Sequence, residues 1–187
     1  PVARDLLDKA VFHVVPNMNP DGSFRGHIRT NAKGVNLNRE WDKASEANSP
    51  EVHAVQEEMK KTGVDLFLDM HGDETLPYNF IAGAEGVPSF TGEDLARLEA
   101  YKDALKSINP DFQTEHGYPV DEPGQADLSI ATHWMAETYR CLAMTLEMPF
   151  YDNADAPDAV HGWSPERAVR MGASQLDAMR AVFDRLG

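Results

Sequence analysis

VDLFLDMHGDE, residues 64–74, opens as an apolar run and ends in Asp69, His71, Asp73 and Glu74. Val64 to Leu68 is long enough for one strand, and its near-continuous apolar character predicts a central strand covered on both faces. The polar residues then fall at the carboxyl end, where open α/β sheets place their ligand sites. A lone histidine before a glycine more often opens a turn than binds anything. His71 therefore gains meaning only from what the rest of the chain sends to the same place.

Outward from this stretch, strands and helices alternate. Ser49-Pro50-Glu51 starts a helix, with Ser at the cap, Pro at the first helical position and an acid beside the positive end of the dipole. Val52, Val55 and Met59 share one of its faces and Gly63 closes it. Further upstream, Arg4 to Lys9 reads as helix, and Val11 to Val15 (VFHVV) as a buried strand ended by Pro16. Between them and the Ser49 helix, Asn17 to Asp42 has neither strand nor helix period and carries the turn signal Pro20-Asp21-Gly22. A loop of that length inside a domain is usually functional or disordered. Phe24, Ile28, Val35, Leu37 and Trp41 are its expected anchors.

Downstream, Tyr78–Ala82 reads as a strand and Gly92–Ile108 as a helix with Leu95, Leu98, Tyr101 or Lys102, and Leu105 toward the core. Two prolines and two glycines make Glu115–Gln125 a loop. A helix over Ser129–Tyr139 leads into the strand Cys141–Met148, with Pro149 just past its end. Pro165–Leu186 is a long amphipathic helix whose predicted stripe is Val169, Gly172, Leu176, Met179, Phe183 and Leu186, with Arg170, Asp177 and Arg185 facing water. No repeat or linker divides the chain. The expected architecture over residues 1–187 is α/β, a mainly parallel or mixed sheet flanked by helices.

Composition narrows the function. A net charge of -14 opposes nucleic acid or an anionic membrane as the main partner. Cys141 is the only cysteine, which excludes an internal disulfide framework and a cysteine-rich zinc site. No apolar run approaches the roughly 18–20 residues of a membrane span. The chain opens at Pro1 in what reads as the last turns of a helix, so a piece of a longer protein is expected.

Three polar groups share a strand-end context. His71 ends one strand, Glu147 lies among apolar residues near the end of another, and the long loop carrying Arg29, Asn38 and Arg39 follows a third. A carboxylate in such surroundings is costly to bury without a partner or a purpose. Strand-end histidine plus buried-edge glutamate suits a zinc hydrolase, with the glutamate as general base and nearby arginines steadying an oxyanion or a substrate carboxylate. A catalytic zinc takes three protein ligands, and only His71 is convincing here. His13, His27, His53, His116, His133 and His161 show no two-ligand spacing near an acid; His53, in His53-x-x-Gln56-Glu57, reads as a helix-surface residue.

Asn19-Pro20-Asp21-Gly22, then Arg29-Thr30-Asn31 leading to Gly34-Val35-Asn36-Leu37-Asn38-Arg39-Glu40-Trp41, then Asp69-Met70-His71-Gly72 and Thr145-Leu146-Glu147-Met148-Pro149 occur in that order. This ordered set resembles the zinc carboxypeptidase family, most nearly its cytosolic branch, from Asn17 to about Phe150. The resemblance implies part of a zinc-carboxypeptidase (phosphorylase/hydrolase-like) fold, a cytoplasmic protein, zinc as cofactor, and the carboxyl termini of peptides or proteins as partners. It implies His71 as a zinc ligand, Glu147 as the general base that activates a metal-held water, and Arg29 as the oxyanion-binding arginine. It further implies Asn38 and Arg39 as the clamp for the terminal carboxylate, and Tyr118 as the mobile substrate-binding tyrosine. The family's His-x-x-Glu, which supplies the other two ligands upstream of Asn-Pro-Asp-Gly, is absent. The chain is therefore expected to be the carboxyl-terminal part of the catalytic domain, with an incomplete zinc site and little activity alone. Alternatives are a zinc acylase of the aspartoacylase type and a non-catalytic binder of peptide carboxylates. Pro119 to Tyr139 contains no Lys or Arg, which disfavours a dedicated deglutamylase if that segment lines the specificity pocket.

Overall fold

The computed structural model describes residues 2–186. The element order is α1 (Val2–Leu7), α2 (Pro20–Arg25), α3 (Pro50–Thr62), β1 (Leu66–Asp73), β2 (Phe80–Ala82), α4 (Gly92–Ile108), α5 (Ala131–Tyr139), β3 (Leu142–Pro149) and α6 (Pro165–Val182), with short 3-10 turns at Leu37–Arg39 and Phe183–Arg185. Helix α4 matches its predicted bounds because its ends are well signalled. Thr91 and Asp94 form a reciprocal capping box, and Leu98, Tyr101 and Leu105 are buried along one face. Helix α3 begins at Pro50 and ends at Gly63, whose φ of 71° suits glycine. Ser49 does not cap it; its hydroxyl accepts the Ser45 N–H instead.

The sheet runs β1-β3-β2, with β1 and β3 parallel and β2 antiparallel to β3. It is mixed, and its centre is β3 rather than β1. Every residue of β3 is buried except Met148, which is half-buried. Strand β1 is an edge among the described strands, and most of it is only half-buried. The expectation that Val64–Leu68 is the central strand is corrected accordingly, while its side chains do pack on both faces, Leu66 and Leu68 on one and Val64 and Phe67 on the other.

Alternation along the strands sorts side chains onto two faces. Leu66, Leu68, Leu142, Met144 and Leu146 meet the core that α4 and α6 build around Tyr101, Leu105, Met171 and Val182. Phe67 and Ala143 meet a second core that holds Leu37, Trp41, Val52 of α3 and Met135 of α5. Asp69, His71, Thr145 and Glu147 share this second face by the same period of two. Helices thus cover both sides, and the second face turns polar toward the carboxyl ends of β1 and β3.

Three expectations fail for identifiable reasons. Residues 11–15 form no strand, and Val11, Val14 and Val15 are exposed. A strand needs a neighbour's backbone, and among the described residues none pairs with this segment. In the long loop, Pro20-Asp21-Gly22 opens a short helix instead of a plain turn, because Asn19 Oδ1 accepts the Gly22 N–H and Pro20 sits in the first turn. Phe24 is 93% exposed and Ile28 is exposed, so Leu37 and Trp41 anchor that loop. In α6 the buried face is Arg167, Met171, Ser174, Gln175, Ala178 and Val182, while Val169 lies 71% exposed. Polar partners draw the helix round: Tyr101 OH donates to Gln175 Oε1 at 2.8 Å and Asn109 Nδ2 to Ser174 Oγ at 2.9 Å.

Candidate active site

The strand register places His71 directly beside Glu147, and Glu147 directly beside Phe80 of β2. Paired residues on adjacent strands project to the same face, so the row His71–Glu147–Phe80 crosses the sheet at the carboxyl ends of β1 and β3. His71 Nδ1 lies 3.6 Å from Glu147 Oε1, and its Nε2 lies 2.9 Å from Asp69 Oδ2. Asp69 thereby accepts from Nε2 and turns Nδ1 toward Glu147. Burial works most strongly against a charged imidazole, but the Asp69 hydrogen bond and the charges of Asp69 and Glu147 outweigh it, and the His71 pKa is raised.

Glu147 is 5% exposed, and its Oε2 is buried without a hydrogen-bond partner. Burial pushes its carboxyl up to about 7, against the opposing pull of His71. Tyr118 OH lies 3.3 Å from Glu147 Oε1 and also donates to Asp73 Oδ2. The Tyr118 ring stands edge-on to Phe80, with centroids 4.9 Å apart at 85°. The Tyr118 pKa is raised, first by burial and then by the Asp73 hydrogen bond.

The other predicted site residues sit differently. Arg29 is exposed, and its positive charge is felt at His71, where it opposes protonation. Asn38 Oδ1 accepts the Ala131 N–H at 2.8 Å and so caps α5 from another segment. Arg39 donates to the Asn38 carbonyl at 2.5 Å and lies 3.8 Å from Asp127 Oδ2. Among the described residues, no hydrogen bond or ion pair joins Asn38 or Arg39 to His71 or Glu147. The structure therefore brings together His71, Glu147 and Tyr118, with Arg29 within electrostatic reach, and holds Asn38 and Arg39 at the start of α5. Asp69 and Asp73 enter the cluster with no role assigned from sequence. Their spacing, Asp69-x-His71-x-Asp73, would have placed all three on one strand face.

A histidine oriented by a carboxylate, beside a buried glutamate with an unpartnered oxygen, is a pairing that metallohydrolase sites use. A family model described as zinc carboxypeptidase (peptidase M14) matches residues 1–166, and the chain belongs to that family. It is 56% identical to a putative carboxypeptidase A from Shewanella denitrificans, whose crystal structure it matches at a TM-score of 0.99 over 100% of this chain and 50% of that one. A metallo-carboxypeptidase from Pseudomonas aeruginosa, solved with (2-guanidinoethylmercapto)succinic acid, is 47% identical with a TM-score of 0.96, over 98% of this chain and 49% of its own. Mouse cytosolic carboxypeptidase 6 is 33% identical over 89 residues, 44% of this chain and 16% of that protein. The chain spans about half the length of the relatives that match it end to end. No helix of the described residues is long and apolar enough to cross a membrane.

Zinc is the family's metal. Among the described residues, no group of three or more His, Cys, Asp or Glu could hold a metal ion. His71 alone suits the role, through Nδ1, and the unpartnered Glu147 Oε2 is what a base facing a missing hydrogen-bond partner looks like. These residues fit a share of a zinc site and not a whole one.

Proposed function

We propose that this chain is the carboxyl-terminal part of the catalytic domain of a zinc metallocarboxypeptidase, cytoplasmic like the cytosolic carboxypeptidases it resembles, which hydrolyses the terminal residue of peptides or proteins. The juxtaposition of His71 and the buried Glu147 on neighbouring strand ends carries this reading. The chain spans about half the length of its end-to-end relatives, and this reading places the remaining zinc ligands outside these residues. Zinc, when bound, would supply the Lewis-acid chemistry that makes water nucleophilic at neutral pH.

The chain's own groups divide the remaining work. Glu147 accepts a proton from the attacking water and returns it to the leaving amine. Arg29 steadies the negative charge that grows on the scissile carbonyl oxygen. The Asn38 amide NH2 and the Arg39 guanidinium receive the terminal carboxylate. Arg39 holds a long, half-exposed contact with Asp127, which is weak, and a hydrogen bond from Nη1 to the Asn38 carbonyl, which leaves its other guanidinium N–H groups for the carboxylate. Tyr118 closes over the bound residue.

The Pseudomonas ligand pairs a succinic acid with a guanidino group, and the acidic chain offers no Lys or Arg from Pro119 to Tyr139. Both favour a basic or neutral terminal residue over glutamate. Initial rates for the full-length enzyme on matched peptides ending in Lys, Leu or Glu are expected to be slowest for Glu, and blocking the terminal carboxylate as an amide should abolish cleavage. A strong Glu preference would overturn the specificity; undiminished cleavage of the amide would overturn the carboxypeptidase reading.

A further inference from the structure

Asp73 is the buried last residue of β1, and both of its oxygens are committed. Oδ1 accepts the N–H groups of Thr75 and Leu76 at 2.5 and 2.6 Å, which fixes the carboxylate in the turn after the strand. Oδ2 is left in a set direction, and there it accepts the Tyr118 hydroxyl. We propose that Asp73 is a positioning residue, which holds Tyr118, and through it the loop of residues 114–125, over Glu147.

The loop's other holds lie toward its ends: His116 stacks on Tyr78 with centroids 4.2 Å apart, and Lys106 Nζ donates to Thr114 Oγ1 at 3.2 Å. Gln113 secures its base: its Oε1 accepts the N–H groups of Glu115 and His116, and its Nε2 donates to the Asn79 and His116 carbonyls. At the far end the Ala126 N–H reaches the Gly86 carbonyl. Every residue from Thr114 to Gln125 is exposed. Between the two ends, the Tyr118 ring on Phe80 and the Tyr118 hydroxyl on Asp73 tie the loop to the sheet.

The arrangement also settles where the phenol proton goes. A tyrosine hydroxyl has one proton to donate, and two carboxylates lie beside it. Asp73 is the nearer acceptor and Glu147 Oε1, at 3.3 Å, the farther. Asp73 therefore keeps the phenol from donating to the base, while it keeps the ring where it bounds the space above Glu147. The consequence for catalysis rests on the reading of Glu147 as general base; the Asp73–Tyr118 contact does not.

Two substitutions separate the parts. Tyr118→Phe removes the hydroxyl and preserves the ring contact with Phe80. Asp73→Asn keeps an oxygen for the Thr75 and Leu76 amides and turns an NH2 toward the phenol. In hydrogen–deuterium exchange, Tyr118→Phe is expected to quicken exchange within residues 114–125 about tenfold, the effect of losing one charge-assisted hydrogen bond, with residues 74–76 unchanged. Asp73→Asn should quicken the same segment and move the Tyr118 Cζ resonance upfield in protein labelled with 13C-tyrosine, as expected when the phenol no longer donates to an anion. The double variant should exchange no faster than Tyr118→Phe alone. Unchanged exchange, an unmoved resonance, or additive effects in the double variant would each overturn the proposal. In the full-length enzyme both single variants should raise the KM for peptides by a similar factor. If exchange and resonance shift as expected while KM stays constant, the latch stands and the substrate-binding reading of Tyr118 fails.

Discussion

Glu147→Gln in the full-length enzyme is expected to lower kcat for peptide hydrolysis roughly 10^3-fold, the scale of a lost general base. KM should change little, because the substituted amide fills the same space and the carboxylate clamp lies elsewhere. The same variant should raise stability, and the sign follows from where the group titrates. The Glu147 carboxyl has an ordinary value of 4.5 and is raised to about 7 in the fold. The protonated form is favoured by folding, so its contribution is fully present below about pH 4.5 and is lost as the pH rises through about 7. At pH 8 the ionised, buried carboxylate costs about 3 kcal/mol. Chelator-treated Glu147→Gln protein should therefore unfold at higher urea concentration than the parent at pH 8, and at about the same concentration at pH 4.5. Equal midpoints at pH 8 would show that Glu147 is not held in the environment described.

Arg167→Met is expected to destabilise the protein by about 3–5 kcal/mol, the cost of breaking a buried charge network on one side. Arg167 is 7% exposed in the first turn of α6. Its guanidinium grips Asp111 with Nη2 at 2.6 Å and Nε at 3.3 Å, and also donates to Asp152 and to the carbonyls of Ala156 and Gly162. It lies over the Trp163 ring, 5.0 Å from the centroid. One side chain thus joins α6 to the end of α4 and to the loop that follows β3. Removing it strands the largely buried Asp111 carboxylate. For a chain of this size the melting temperature should fall roughly 10 °C. Arg167→Lys keeps the charge but not the fork, and should lie between the two. A loss below about 1 kcal/mol would mean that the network contributes little.

The α/β class was legible in the sequence, and so was the grouping of His71, Glu147 and Tyr118 at one end of the sheet. Glu147 stood out because a carboxylate interrupts an otherwise apolar strand, and β3 proved to be the buried centre of the sheet. The bounds of helix α4 were legible to the residue, as was most of its stripe, although Leu95 of that stripe lies 44% exposed. What escaped depends on partners distant along the chain. Arg167 and Gln175 look like surface residues until Asp111 and Tyr101 are seen to meet them. Val11–Val15 has every local property of a strand, yet backbone pairing is a relation between segments, and the described sheet does not include it. Asp73 and Tyr118 lie far apart in sequence, and no period connects them.

On the proposed function, His71 is one ligand of a zinc site whose other ligands lie outside these residues. Titration calorimetry of the protein with zinc, beside a full-length metallocarboxypeptidase under the same conditions, tests it most directly. The protein should bind zinc far more weakly than the full-length enzyme, and His71→Ala should remove what binding there is. Zinc affinity equal to the full-length enzyme's would show that the site is complete in this chain, and binding indifferent to His71→Ala would show that His71 is not a ligand.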